Sequence, residues 1–196
     1  MLKIGITGGI GSGKTTVCKI FEVLGIPVFY ADQVAKEIMI TDKKLKRAVQ
    51  NTFGEQSYTN EGVLNNKYLA SIVFNDKKKL DVLNGIVHPA VFNAFDSWVL
   101  NQDGAPYIVK EAALLFESES YKTCDYCILI KAPIDLKIQR VMQRNPISVE
   151  EIKARMNRQF TDEKKEKMSD FVLINDEKQL LIPQILRLNE EFQTKN

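Results

Sequence analysis

Eight consecutive residues, Gly8-Gly9-Ile10-Gly11-Ser12-Gly13-Lys14-Thr15, match G-x-x-x-x-G-K-[ST] at every fixed position. The chemistry open to such a run is capture of a polyphosphate. Its glycines let the backbone N–H groups from Gly11 to Thr15 converge on phosphate oxygens, and a helix starting at the end of the run adds its positive dipole end. In this pattern the lysine, Lys14, reaches the β- and γ-phosphates of a nucleoside triphosphate, and the hydroxyl of Thr15 is suited to Mg²⁺. The alternative is a glycine-rich turn carrying a surface lysine. It would leave unexplained why the apolar run Leu2 to Ile6 precedes the glycines and Val17, Ile20, Phe21 and Leu24 follow at helical spacing.

A phosphate loop serves GTPase switches, ATPase motors and small-molecule kinases alike. No Asp is followed three residues later by Gly, and the one Asn-Lys-x run, Asn66-Lys67-Tyr68, continues with Leu69 instead of Asp. A GTPase switch is therefore disfavoured, and no transporter-type L-S-G-G-Q run occurs. The arginines point the same way. Arg140, Arg144, Arg155 and Arg158 are four of the six in the chain. Spacings of four and three residues predict that each pair shares a helix face. The Asn145 to Val149 break between them suits a lid that swings cations onto a transferring phosphoryl group, with a solvated charged hairpin as the alternative. Asp32 follows the second strand and is placed either to accept a proton from an acceptor hydroxyl or to cap a helix. Glu111 ends the third strand, where it could hold Mg²⁺ through water or cap a loop.

The composition frames these readings by exclusion. The 196 residues carry 27 basic and 25 acidic side chains, a net charge of +2, too even for a general nucleic-acid binder. The single histidine, His88, removes multi-histidine metal sites and most Ser-His-Asp arrangements. Three cysteines make no disulfide framework and fit a reducing compartment. Cys124-x-x-Cys127 runs straight into the apolar strand Ile128-Leu129-Ile130, so it reads as buried or incidental thiols and not as a redox pair. The N-terminus does not resemble a signal peptide, and no stretch approaches the ~18 apolar residues of a membrane span. A soluble, cytoplasmic protein with no nucleic-acid or membrane partner is expected. No long apolar stripe is left once the core is assigned, so a monomer is expected too.

Five short apolar runs are predicted to be strands: Leu2 to Ile6, Pro27 to Tyr30, Tyr107 to Val109, Tyr126 to Ile130, and Phe171 to Ile174. Helical patterns alternate with them, which predicts an α/β fold with a five-stranded parallel sheet built by right-handed crossovers. Between the second and third strands lie the helical segments Leu45 to Phe53, Tyr68 to Phe74 and Leu80 to Val87, far more chain than a crossover needs. A helical insertion is expected there, with Pro89 marking a helix boundary at His88. After a helix from Ile134 to Arg144, Ser148-Val149-Glu150-Glu151 carries a capping-box pattern and opens a helix expected to reach Phe160. The last helix should carry Leu180, Leu181, Ile185, Leu188 and Phe192. The lysine groups 77 to 79 and Lys164, Lys165 and Lys167 read as solvated faces.

Several of these pieces, in this order, resemble the dephospho-coenzyme A kinase family. They are Gly5 to Thr16, Tyr30-Ala31-Asp32 with Ala35-Lys36-Glu37, His88-Pro89, Leu114-Leu115-Phe116-Glu117, Arg140 with Arg144, Arg155-Met156-Asn157-Arg158-Gln159, and Asp170-Phe171-Val172 through Asn175. The resemblance spans Ile4 to about Asn175 and implies ATP-dependent phosphorylation of the ribose 3'-hydroxyl of dephospho-coenzyme A. It implies a P-loop kinase core (1–32, 103–139 and 161–196), a helical acceptor domain (33–102) and a lid (140–160). It further implies Asp32, Lys14 and Arg140 as catalytic groups. Gly9, Gly11, Ser12, Gly13, Lys14, Thr15, Thr16, Arg144 and Asn175 would hold ATP, and Thr15 and Glu111 would hold Mg²⁺. Thr7, Asp32, His88, Leu114, Leu115, Phe116, Glu117 and Arg155 would line the acceptor site, with a lysine of either cluster a further contact for the acceptor pyrophosphate. The sequence departs from the family pattern at Tyr30, Glu111, Ala113, Lys137 and Ser169, where Asp, Asp, Pro, Gln and Ala are usual.

Overall fold

The computed structural model describes residues 1–73 and 76–195. Phe74, expected to close a helical segment, lies outside the described residues. In chain order the elements are β1 (Leu2–Thr7), α1 (Lys14–Val23), β2 (Val28–Tyr30), α2 (Ala31–Thr41), α3 (Lys43–Phe53), α4 (Asn66–Val73), α5 (Lys77–Val99) and β3 (Tyr107–Glu111). There follow β4 (Tyr126–Lys131), α6 (Ile134–Arg144), α7 (Val149–Met156), α8 (Asp162–Lys167), β5 (Phe171–Ile174) and α9 (Leu181–Thr194). The chain divides into two compact units, one made of Met1–Tyr30 and the chain from Asn101 onward, the other of Ala31–Leu100.

In the first unit the strands form one parallel sheet in the order β2-β3-β1-β4-β5. Strands covered on both faces must be apolar nearly throughout, and Ile4, Ile6, Ile108, Val109, Ile128 and Ile130 are fully buried. Val17 and Phe21 of α1 and Ile185 and Phe192 of α9 complete this core. The Tyr107 hydroxyl is satisfied inside it by donating to Asn189 Oδ1 at 2.7 Å. Helix α1 ends in a Schellman turn, with Gly25 at φ 81° and the Ile26 and Gly25 amides returning to the Phe21 and Glu22 carbonyls. The chain leaves β1 towards β2 and leaves β3 towards β4, on opposite sides of the sheet. The carboxyl ends of the adjacent β1 and β3 therefore bound the crevice where open α/β sheets bind ligands. Cys127 sits within β4, and burial pushes its thiol up to about 12, in line with the inert reading of the cysteine pair.

The second unit is helical. Leu45, Val49 and Phe53 of α3, Met39 of α2, Leu69 of α4 and Val87, Val91 and Phe95 of α5 are among its buried side chains, with Tyr58 and Leu64 from the segment before α4. Asp42 and Asp76 cap α3 and α5 by accepting backbone N–H bonds. The boundary expected at Pro89 is absent, and α5 runs through it from Lys77 to Val99. Proline removes one helical hydrogen bond and crowds the preceding turn, at a cost of ~3 kcal/mol. Val87 on one side of it and Val91 and Phe95 on the other are all buried. Burying side chains of this kind yields ~1.5–3 kcal/mol each, enough to keep the helix intact across the proline.

Two further expectations change in the first unit. The capping box at Ser148 and Glu151 forms, but α7 ends at Met156, short of Phe160. The Phe160 N–H, which a continued helix would direct to Met156, instead donates to Glu117 Oε1 at 2.6 Å. Arg158 consequently lies beyond the helix end and shares no helix face with Arg155. Lys165 of α8 is fully buried instead of solvated, whereas Lys164 and Lys167 are exposed.

Candidate active site

The phosphate-loop residues connect β1 to α1, and the backbone there requires glycine at two points. Gly11 and Gly13 have φ of 80° and 95°, the left-handed region. A Cβ on Gly11 would collide with the Lys137 backbone carbonyl, and one on Gly13 with the Asn175 side-chain amide. Ser12 is fully buried, and its hydroxyl has no partner among the described residues. A buried hydroxyl left unpaired costs ~1–3 kcal/mol, so one aimed into a loop of this kind is suited to an incoming phosphate oxygen. Lys14 Nζ donates to the Gly8 carbonyl at 3.1 Å, laying the ammonium over the first residues of the loop.

Behind the loop, Asn175 follows β5 and donates from Nδ2 to the Ser12 carbonyl at 2.8 Å. Arg140 of α6 donates to the Asn175 carbonyl at 3.2 Å and to Glu177 at 3.0 Å, with a longer reach of 3.5 Å to the Gly11 carbonyl. Arg144 and Arg155 are exposed, and the structure brings neither to the loop. Glu111 is buried at the end of β3, paired in register with Ile6 and Tyr30. Its negative field adds to burial in raising the Cys18 thiol, which the Lys14 ammonium opposes.

Sequence reading missed a buried polar brace beside the loop. The Ala113 carbonyl accepts from Lys165 Nζ at 3.0 Å, from Gln159 Nε2 at 3.1 Å and, more weakly, from Thr7 Oγ1 at 3.5 Å. The other end of the Gln159 amide accepts the Ile10 N–H at 2.9 Å, tying the phosphate loop to this turn. Lys165 Nζ also pairs with Glu117 Oε1 at 3.1 Å, while Glu117 Oε2 is buried with no hydrogen-bond partner. Burial holds the Lys165 pKa below its ordinary value against the opposing pull of Glu117. Leu115 and Phe116 of the expected acceptor segment are core residues, and Leu114 is half-buried. Nothing local marks Lys165, because a lysine in a charged helical run looks the same buried or exposed.

Lys165→Met should lower stability by about 3 kcal/mol, since removing one partner strands the Glu117 carboxylate. Urea unfolding measures this, and an unchanged midpoint would show the pair to be dispensable.

A groove of about 770 Å³ opens next to the loop, its lining including Gly9, Lys137, Gln159, Phe160, Thr161 and Asp162. Lys137 and Asp162 form a close ion pair within it. For a metal, the described residues contain no cluster of three or more His, Cys, Asp or Glu. Mg²⁺ bound with a nucleotide takes one or two protein oxygens and completes its shell with phosphates and water. Thr15, exposed in the first turn of α1, and Glu111 are the oxygen donors on hand.

Asp32 and His88 belong to the second unit. Asp32 is exposed in the first turn of α2, inside the helix and not at its N-cap, where its charge favours the helix dipole. His88 is half-buried in α5 with its ring 6.2 Å from Phe92, and burial lowers its pKa.

A family model described as dephospho-CoA kinase matches residues 2–180. A dephospho-CoA kinase of Bacteroides fragilis is 38% identical over 187 residues, covering 95% of this chain and 91% of that protein. One from Salinibacter ruber is 40% identical over 178 residues, covering 90% and 89%. The solved structure of dephospho-CoA kinase from Campylobacter jejuni superposes with a TM-score of 0.71 at 27% identity, covering 99% of this chain and 98% of that one.

Proposed function

Because the chain belongs to the dephospho-CoA kinase family, and so phosphorylates dephospho-CoA to coenzyme A, we propose that the donor is ATP held in the loop from Gly8 to Thr15. The observation that carries this reading is the loop itself: two left-handed glycines, a buried unpaired Ser12 hydroxyl and Lys14 over its first residues. Gly9, Gly11, Gly13 and Thr16 complete the phosphate cradle. Asn175, packed against the Ser12 carbonyl, and Arg144 bound the nucleotide further along. Mg²⁺, held by Thr15 and through water by Glu111, would neutralise charge on the donor phosphates.

In the transfer, the 3'-hydroxyl oxygen of the acceptor ribose attacks the γ-phosphorus in line. Asp32, two residues beyond the end of β2, takes the hydroxyl proton. The bond from the γ-phosphorus to the β,γ-bridging oxygen breaks, and ADP leaves with the electron pair. Lys14 and Arg140 stabilise the charge spread over the moving phosphoryl oxygens. Thr7, His88, Arg155 and the turn from Leu114 to Glu117 are the acceptor-side residues, the last of these held by the Lys165 brace. The units supply an α/β nucleotide core with the segment 140–160 as its lid and a helical acceptor domain.

Coenzyme A formation assayed with ATP, GTP and CTP tests the donor; turnover with GTP and none with ATP would overturn the assignment. Chelation with EDTA should abolish turnover, and added Mg²⁺ should restore it, whereas activity that persists after chelation would remove the metal from the reaction. The even charge balance speaks against a nucleic-acid partner, and three free cysteines fit a reducing compartment, so the reading extends to a cytoplasmic, monomeric enzyme acting on a small molecule without a membrane partner. No helix among the described residues is long and apolar enough to cross a membrane. Sedimentation at the monomer mass of 22.3 kDa is the expected result.

A further inference from the structure

The Lys137–Asp162 pair is not needed for the reading above, yet it lies at the working end of the loop. Lys137 is one turn before Arg140 on α6, so both project from one helix face towards the glycines. Its Nζ lies 3.0 Å from where a Cβ on Gly9 would stand, and its own backbone carbonyl closes over Gly11. The Lys137 side chain is 8% exposed and the Asp162 side chain 19%. Gly9, Lys137 and Asp162 all face the open groove beside the loop.

Lys14 shows which phosphate belongs at this end. The ammonium that reaches the β- and γ-phosphates is bonded to the Gly8 carbonyl, so the terminal phosphoryl group is expected over Gly8 and Gly9. A second ammonium, that of Lys137, waits there, paired with the Asp162 carboxylate. We propose that Lys137 is a further catalytic residue, exchanging Asp162 for the terminal phosphoryl group of the bound triphosphate and sharing its charge with Lys14 through the transfer. This inference rests on the phosphate-loop reading. Asp162 holds the ammonium in the groove until the nucleotide arrives, and the phosphoryl oxygens, which carry more negative charge than one carboxylate, then take it over. The competing role is a structural tie from α6 to α8.

Three variants separate the two roles: Lys137→Met, Asp162→Asn and the pair combined. Coenzyme A formation, affinities for ATP and ADP, and thermal melting are measured for each. A cation on the terminal phosphoryl group predicts that Lys137→Met lowers kcat by about 10-fold or more, the scale of one charge-assisted contact. It also predicts weaker ATP binding with ADP binding unchanged, because ADP lacks the group contacted. The combined variant leaves no lone charge and should melt close to wild type, yet its kcat should stay as low as that of Lys137→Met. A combined variant that regains wild-type kcat, or equal losses for ATP and ADP, would overturn the proposal in favour of the tie. Lys14→Ala in the same assays keeps the two readings apart. If it leaves ATP affinity intact, the loop reading itself fails; if it weakens ATP and the Lys137 variants do not, only the present proposal fails.

Discussion

Lys14→Ala is expected to lower kcat by ~10²-fold or more and to weaken ATP binding about 10-fold. Both effects come from one ammonium. On the proposed reading Lys14 would be a charge-assisted donor to the terminal phosphates in the ground state, and its truncation would remove a contact that no neighbour can copy from the same position. In the transition state negative charge builds on the oxygens beside it, so the larger loss falls on kcat. The Lys14 ammonium lies on the Gly8 carbonyl already, and little reorganisation is needed when phosphate arrives. The loop should keep its shape without it, because the neighbours that crowd Gly11 and Gly13 are the Lys137 carbonyl and the Asn175 amide, not the Lys14 side chain. Steady-state kinetics and direct nucleotide titration read the two effects separately. Unaltered kinetics would remove the phosphate-loop assignment.

Asp32→Asn should cut kcat by ~10²-fold or more while ATP affinity stays near wild type, the range for loss of general-base help. The substitution keeps size and polarity but removes the ability to take a proton. Asp32 is exposed on the first turn of α2, so the variant should fold normally, losing only a few tenths of a kcal/mol of dipole interaction. Turnover at the wild-type rate would take Asp32 out of the chemistry. A matched loss of kcat and ATP affinity would instead assign it to nucleotide binding.

The two residues differ in how their settings arise. Lys14 is placed by its neighbours in the chain: the strand, the glycines and the new helix are all local, and the motif is readable because each part constrains the next. The same holds for the capping box at Ser148 and Glu151, which forms as its spacing predicts. The five strands could be read from continuous apolar runs, because a parallel sheet covered on both faces leaves no polar side to alternate.

Other features depend on residues far apart in the chain. Pro89 reads as a stop, yet the helix continues because its apolar residues are buried on both sides of the proline. Lys165 reads as solvent-facing but is buried against Glu117 and the Ala113 carbonyl, 52 positions away. Gln159 bridges to Ile10 across 149 residues, and Lys137 meets Asp162 across 25. Backbone preference, hydrophobic period and loop chemistry act over a few residues, and they sufficed for the strand-loop-helix around Lys14 and for the class of reaction. Which charged side chains are buried, which carboxylate each ammonium meets, and where a helix yields its amide to a distant partner depend on packing between elements. Only the folded chain brings those groups together, since burial and pairing energies are set by neighbours in space and not by neighbours along the backbone.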